Sequence, residues 1–496
     1  MFTVNTVHTS SSSSAPEPSR QAISPDLQTS GVQRPHVPLI VVVAIACVTQ
    51  FMVVLDSTIV TVALPAMRAG LHLSPNQQQW VLSGYLVALG GLMLAGARAS
   101  DLFGRRRVFL LGLGAFTAAS LAGGLAVSGP MLLGARIAEG VGAALLAPSS
   151  LSLITASHVD PSARHRALAL WSVMGGVASS SGLVLGGVLT SALSWRWVLF
   201  VNVPIGVALF AVAAWSLLPS AAGGRRRRLD LPAALSATIG VGLLTYGLSQ
   251  VTAGGWGSAQ VLGALAGAAA SLALFVVVEA TRPDPLIPLR LFKMGNLRIG
   301  NLVMAILGVT MTAALYFVSL YLEQLLGESA LEAGLSLLPM TVLMVAVGLG
   351  ARRLIVVLGA RRLLVTGALV TAGGLAWLSR LPVHPAYLSH VLGPTLVTAI
   401  GLGLMLLPVT VAAVNGVAPT DAGAASGLLN AARQVGGALG LAVLFSVARS
   451  VADGSTLPTP GAATIDGYGV AILVNAVVLF LAAVLALFLR DRKDLR

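Results

Sequence analysis

The chain has 496 residues, of which 56% are apolar and only 9% charged, and its mean hydropathy is +0.89. That leaves far too little polar side chain to cover a water-soluble globule, so the protein belongs in lipid. The formal charge of +13 does not point to nucleic acid, because the basic residues stand in short clusters between apolar spans and not together on one face beside aromatic or polar readers. A single cysteine, Cys47, excludes a disulfide framework or a thiolate metal site.

Residues 1–37, with the Ser10 to Ser14 run and Pro16, Pro18, Pro25 and Pro35, read as a disordered cytoplasmic tail without the features of a secretory signal. Crossing the hydrocarbon takes about 20 apolar residues in a helix, since only a helix satisfies its backbone within one segment in lipid. Fourteen such spans are predicted, at 38–64, 77–98, 107–127, 131–156, 167–192, 197–218, 231–251, 259–280, 299–323, 331–351, 362–381, 386–414, 422–448 and 467–489. With both ends in the cytoplasm, 24 of the 30 lysines and arginines fall on the inner side, the basic run Arg225 to Arg228 among them, as the positive-inside rule requires. Only Arg68, Arg196, Arg380 and Arg449 fall outside, and Arg136 and Arg433 lie within spans.

Several residues stand out along these spans. A carboxylate at the bilayer centre costs about 2.5–3.5 kcal/mol on insertion scales, which makes Asp56 in the first span a candidate proton carrier; the alternative is a polar helix contact that never titrates. In the fourth span Arg136 and Glu139 are three residues apart and share a helix face, so Glu139 either takes part in proton binding or merely neutralises Arg136. Glu323 is a further acid near the end of the ninth span, and Arg433 in the thirteenth is either functional or a packing donor to carbonyls. Gly182, Gly186 and Gly187 allow close helix approach between the fifth span and the second half. The segment Ala97 to Arg107 is echoed by Gly350 to Arg362, with Gly104 and Gly359 about 255 residues apart and Val356 where the first copy has Asp101. Two repeated halves with a midplane site between them is the logic of many secondary transporters. Candidate cavity liners are Gln50, Met52, Tyr85, Trp171, Met304, Met311, Tyr316, Phe317, Gln324 and Met340, bulky or polar positions that could also face lipid or core. With few aromatics and little fixed negative charge, an aliphatic, methionine-lined pocket is expected over a cage for an aromatic cation.

In order along the chain, Leu55 to Pro65, the loop of Asp101, Gly104, Arg105, Arg106 and Arg107, and the set Arg136, Gly140, Gly142 and Pro148 resemble the fourteen-helix drug:proton antiporter branch of the major facilitator superfamily, the EmrB/QacA-type exporters. Gly182 to Gly187, Ser194 to Pro204, Leu320 to Gly327 and Ser426 to Gly437 extend the likeness. Ala97 replaces a usual Gly, Glu139 a more usual Gln, and Leu183 a usual Pro. The resemblance implies an all-α membrane fold of two six-helix halves, 38–218 and 299–489, with a basic loop and two extra central helices at 219–281 and a short cytoplasmic tail at 490–496. It implies proton coupling through Asp56, Arg136 and Glu139, and a conformational latch of Asp101, Gly104 and Arg105 in which Asp101 meets the start of the thirteenth span. Arg105 to Arg107 serve equally well as positive-inside anchors.

An ATP-driven pump is excluded within the chain, because neither lysine, Lys293 or Lys493, follows a glycine as a phosphate loop requires. No metal or dinucleotide motif supports an enzyme. The expectation is a bacterial cytoplasmic-membrane protein, acting as a monomer without a cofactor, that exports a small, largely apolar drug or antibiotic in exchange for protons. The alternatives are a passive facilitator, an exporter of an endogenous metabolite, or a transporter-like sensor on the same fold. Arginine outnumbers lysine 28 to 2, which fits a GC-rich bacterial gene.

Overall fold

The computed structural model describes residues 39–157, 161–217, 230–282, 285–287, 289–382, 386–418 and 421–489. The terminal tails and Arg225 to Arg228 lie outside the described residues. Among the described residues there are no strands, and fourteen long helices follow one another: α1 Leu39–Leu71, α2 Pro75–Phe103, α3 Arg105–Gly124, α4 Gly129–Ser157, α5 Pro161–Ala192, α6 Trp197–Ser216, α7 Leu231–Gly254, α8 Ala259–Thr281, α9 Gly295–Leu320, α10 Ala330–Leu358, α11 Ala360–Leu378, α12 Gly393–Ala413, α13 Ala422–Gly454 and α14 Pro460–Leu487. Thirteen of them are long and apolar enough to cross a membrane. The fourteenth, α11, opens on Ala360, Arg361 and Arg362 and packs against α12 and α14.

Most helices outrun the apolar spans, α1 by seven residues at its end and α14 by seven at its start. Their polar ends, such as Arg68 and Asp466, need not enter hydrocarbon and so escape a hydropathy reading. Local chemistry sets several boundaries. Ser74 caps α2 and Ser329 caps α10 in reciprocal capping boxes with Gln77 and Glu332. Gly104 ends α2 at φ 92° and Gly359 ends α10 at φ 82°, a backbone conformation that favours glycine, and the next helix starts one residue later in both copies. The interval from Ser74 to Ser329 equals that from Gly104 to Gly359, so the sequence repeat is a repeat of two capped helix joints.

In the first half α1 packs on α4 and α5, α2 on α4, and α3 on α4 and α6. The second half repeats this with α9 on α12, α13 and α14, α10 on α12, and α11 on α12 and α14. The halves meet along α2 with α13 and α5 with α10. The extra pair α7 and α8 pack on each other, and α7 lies on both α2 and α13, lining one seam between the halves. Away from the arginine-rich end, Ile59 to Met67 of α1 join residues of α9, α10, α12, α13 and α14 in one buried apolar cluster that ties the halves together.

Candidate functional site

Within the first half four helices bring their polar residues to one point. Arg136 Nη1 on α4 donates to Asp56 Oδ2 on α1 at 2.8 Å and also to Glu139 Oε2 on its own helix. Asn202 Nδ2 on α6 donates to Asp56 Oδ1 at 3.0 Å and to Ser120 Oγ on α3 at 3.1 Å, and Ser120 Oγ donates to the Leu199 carbonyl. Arg136 Nε reaches the Val81 carbonyl on α2 at 3.3 Å. Asp56, Arg136, Glu139, Ser120 and Asn202 are all 0% exposed. Two carboxylates thus share one guanidinium, and the cluster is negative when both are ionised and neutral when one binds a proton.

Tyr85 of α2 forms one side of this cluster. Its ring lies 4.5 Å from the Arg136 guanidinium carbon, and its hydroxyl donates to the Val53 carbonyl at 3.3 Å. Gly140 lets α4 come this near, because a Cβ there would stand 2.5 Å from the Tyr85 carbonyl oxygen. The other side of Tyr85 belongs to a cavity of about 810 Å³ between the halves. The cavity runs from Thr61 and Leu82 down to Ala97, Arg98 and Asp101 at the end of α2 and Gly423 at the start of α13, the arginine-rich end of the molecule. Asp56, Arg136 and Glu139 do not line it, so the buried cluster and the cavity are neighbours across Tyr85.

Of the expected cavity liners, Gln50, Tyr85, Trp171, Met311 and Met340 reach the cavity, with Met93 and Met344 adding to its methionine surface. Met52 and Met304 do not; they are packed into the cores of the two halves. Tyr316 and Phe317 also fall outside it: Tyr316 packs edge to face on Phe317 and Phe445, and Phe317 lies tilted against Tyr468. Gln324 is exposed on the π turn Tyr321–Leu325 that ends α9, where Ser319 Oγ donates to Glu323 Oε1 at 2.8 Å. Bulk and polarity alone could not tell which face of a helix turns inward.

The glycines of α5 divide their partners. A Cβ on Gly182 or Gly186 would collide with Thr58 or Ile59 of α1, whereas one on Gly187 would lie 2.5 Å from Leu331 Cα of α10. Of these three only Gly187 faces the second half, where Gly334 answers it by accepting Leu183 at similarly close range. At the cavity mouth Asp101 is exposed and has no hydrogen bond or ion pair among the described residues, while Gly423 and Ala424 line the same mouth. In the adjoining run Arg106, not Arg105, has a partner: its Nη2 donates to the Ala214 carbonyl of α6 at 2.5 Å. Asn202 and Ser120 were missed by sequence reading; the available signal was an amide inside the apolar run of α6.

The residues 46–441 match the family model of the Major Facilitator Superfamily, and the chain belongs to that superfamily. It is 44% identical over 448 residues to the cephamycin export protein CmcT of Amycolatopsis lactamdurans, covering 89% of this chain and 90% of the relative. It is 39% identical to the puromycin resistance protein pur8 of Streptomyces alboniger, covering 90% of each. Among solved structures it resembles an auto-inhibited POT family peptide transporter with a TM-score of 0.64 at 16% identity, over 92% of this chain and 98% of the other. It resembles a D-xylose-proton symporter with a TM-score of 0.60 at 14% identity, over 89% and 97%. At such identities these two speak for the fold alone.

Proposed function

We propose that this protein exports a small, largely apolar drug or antibiotic across the bacterial cytoplasmic membrane in exchange for protons. The observation that carries the reading is the buried carboxylate pair on one arginine, separated from the inter-half cavity by a single side chain, Tyr85. The export and resistance proteins it resembles along nine-tenths of their length support the direction of transport.

In this reading the substrate is moved unchanged, by a monomer that needs no cofactor and no nucleotide. Both termini and Arg225 to Arg228 are cytoplasmic, so the cavity opens inward. Residues 38–218 and 299–489 are the moving halves, and the two helices between them ride on the α2 and α13 seam. A proton on Asp56 or Glu139 neutralises the cluster, and the changed charge beside Arg136 and Tyr85 biases the halves between inward- and outward-open states. Gly104 and Arg105 fix the joint after α2, and Asp101 closes on the start of α13 when the inner side shuts. Gly187 allows α5 to slide against α10 at close range, with Gly182 and Gly186 holding α1. Exchanging one proton for one neutral molecule at about 150 mV supplies about 3.5 kcal/mol, a gradient of a few hundredfold.

The test uses everted vesicles with an acidified lumen. Adding puromycin or a cephamycin should release lumenal protons and load the compound; a gradient that neither disturbs, in vesicles shown to hold the folded protein, would overturn the reading.

A further inference from the structure

We infer that Arg433 is the recognition point for an anionic group on the exported compound, so that the preferred substrate is an apolar molecule bearing one carboxylate or a similar oxyanion. This rests on reading the inter-half cavity as the substrate site. Arg433 lies on α13 in the wall of that cavity, partly exposed to it. It has no hydrogen bond or ion pair among the described residues, and none of its guanidinium nitrogens is sealed from the cavity space. Its backbone carbonyl abuts Gly308 of α9, where a Cβ would lie 1.9 Å away, so the helix carrying it is fixed against the second half.

A guanidinium at bilayer depth is costly, and it persists where it faces a water-filled cavity or meets a counter-charge. Among the described residues no such counter-charge is at hand. The charged residues lining the cavity are Arg98, Asp101 and Arg433, and the acid is at the mouth, one turn from Arg98. The buried carboxylates are engaged elsewhere: Asp56 and Glu139 with Arg136 behind Tyr85, Asp230 with Arg282, and Glu279 with the backbone amides of Leu286 and Ile287. The cavity therefore carries a positive charge with no fixed partner. Asn430 and Gln434 flank Arg433 on the same helix face, and Gln50 adds an amide from α1, so further donors are available to an oxyanion. A planar guanidinium pairs best with a carboxylate through two parallel hydrogen bonds. The methionines in the same cavity wall, Met311 and Met344, suit the apolar body of the same molecule.

The test compares a cephamycin with a single free carboxylate against the methyl ester of the same compound, on the full-length transporter in lipid nanodiscs, by equilibrium dialysis. The acid is expected to bind about tenfold or more tightly than the ester, as for a desolvated charge pair. R433Q removes that advantage and brings the acid to the ester's affinity, and R433K, which keeps the charge, retains a preference for the acid. Equal affinities in the natural protein, or an equal loss of acid and ester in R433Q, would overturn the inference. In everted vesicles with an acidified lumen, proton-driven movement of both compounds without preference for the acid would sink the anion site while leaving export intact. Arginine-dependent binding of the acid with no proton-driven movement of either would keep the anion site and overturn export.

Discussion

Asp56 on α1 and Met311 on α9 occupy matching places in the two halves, at the same interval that separates Ser74 from Ser329, and so do Tyr85 on α2 and Met340 on α10. In the first half α1 and α6 are joined by the Asp56–Asn202 hydrogen bond, with Arg136 and Glu139 behind it. In the second half α9 and α14 are joined by a neutral one, Thr310 Oγ1 to Asn475 Oδ1 at 3.1 Å, with no charge nearby in the hydrogen-bond network. One helix arrangement thus serves two purposes. A polar tie joins the first and last helices of each half, and in the second half a neutral pair suffices; the charges of the first half go beyond it and are where the proposed mechanism puts proton binding.

The largest expected effect comes from Asp56→Asn, which keeps size and hydrogen bonding but cannot titrate. Uphill export driven by a proton gradient should vanish in proteoliposomes while substrate binding stays within about threefold, the range of a single neutral hydrogen bond. Normal gradient-dependent export by this variant would make Asp56 a packing residue. Arg136→Gln comes next: it strands two buried carboxylates without their cation, and breaking a buried pair costs roughly 3–5 kcal/mol. A melting temperature in detergent equal to that of the natural protein would show that the carboxylates are not held as a charge cluster.

The mouth offers a second contrast between the halves, Asp101 against Val356, which is 82% exposed at the repeated position. Asp101→Asn should lower transport several-fold by weakening a contact with a helix start worth about 0.3–1 kcal/mol, and Val356→Asn should change it little. Labelling of the inner cavity that is unchanged in Asp101→Asn would remove the latch. Glu139→Gln keeps an acceptor for Arg136, so export should fall only about two- to fivefold, the worth of about 0.5–1 kcal/mol. If this variant is the one that loses proton coupling, the roles of Asp56 and Glu139 are exchanged. The smallest effect belongs to Thr310→Val, which removes the neutral tie at a cost of about 0.6 kcal/mol, the average for such bonds in membrane helices. Lost coupling in this variant would break the division between the halves.

Much of this was legible in the sequence because lipid imposes strong one-dimensional rules. Helices must be apolar over a fixed length, arginines mark one side, and a carboxylate or arginine inside a span announces itself by cost alone. The helices, the repeat, and Asp56, Arg136 and Glu139 as candidates follow from those rules. Which side chains reach the cavity does not, because in an apolar span neither face carries a contrast: Met311 and Met340 line the cavity, Met52 and Met304 are core, and their sequence surroundings are alike. The same limit hid Asn202 and Ser120, and gave Gly182 and Gly186 the wrong neighbour, since three glycines on one helix can face two different partners.

The sequence by itself determined that the chain crosses the membrane many times, that its arginines gather between the apolar spans, and which few charges lie within them, because each of these is set residue by residue by the cost of entering hydrocarbon. Only the tertiary structure decided that Arg136 is ion-paired and Arg433 is not, and that Tyr85 lies between the paired charges and the cavity. Pairing is a matter of distances between helices far apart in the chain, and no periodicity along one helix encodes what its neighbour brings to the contact.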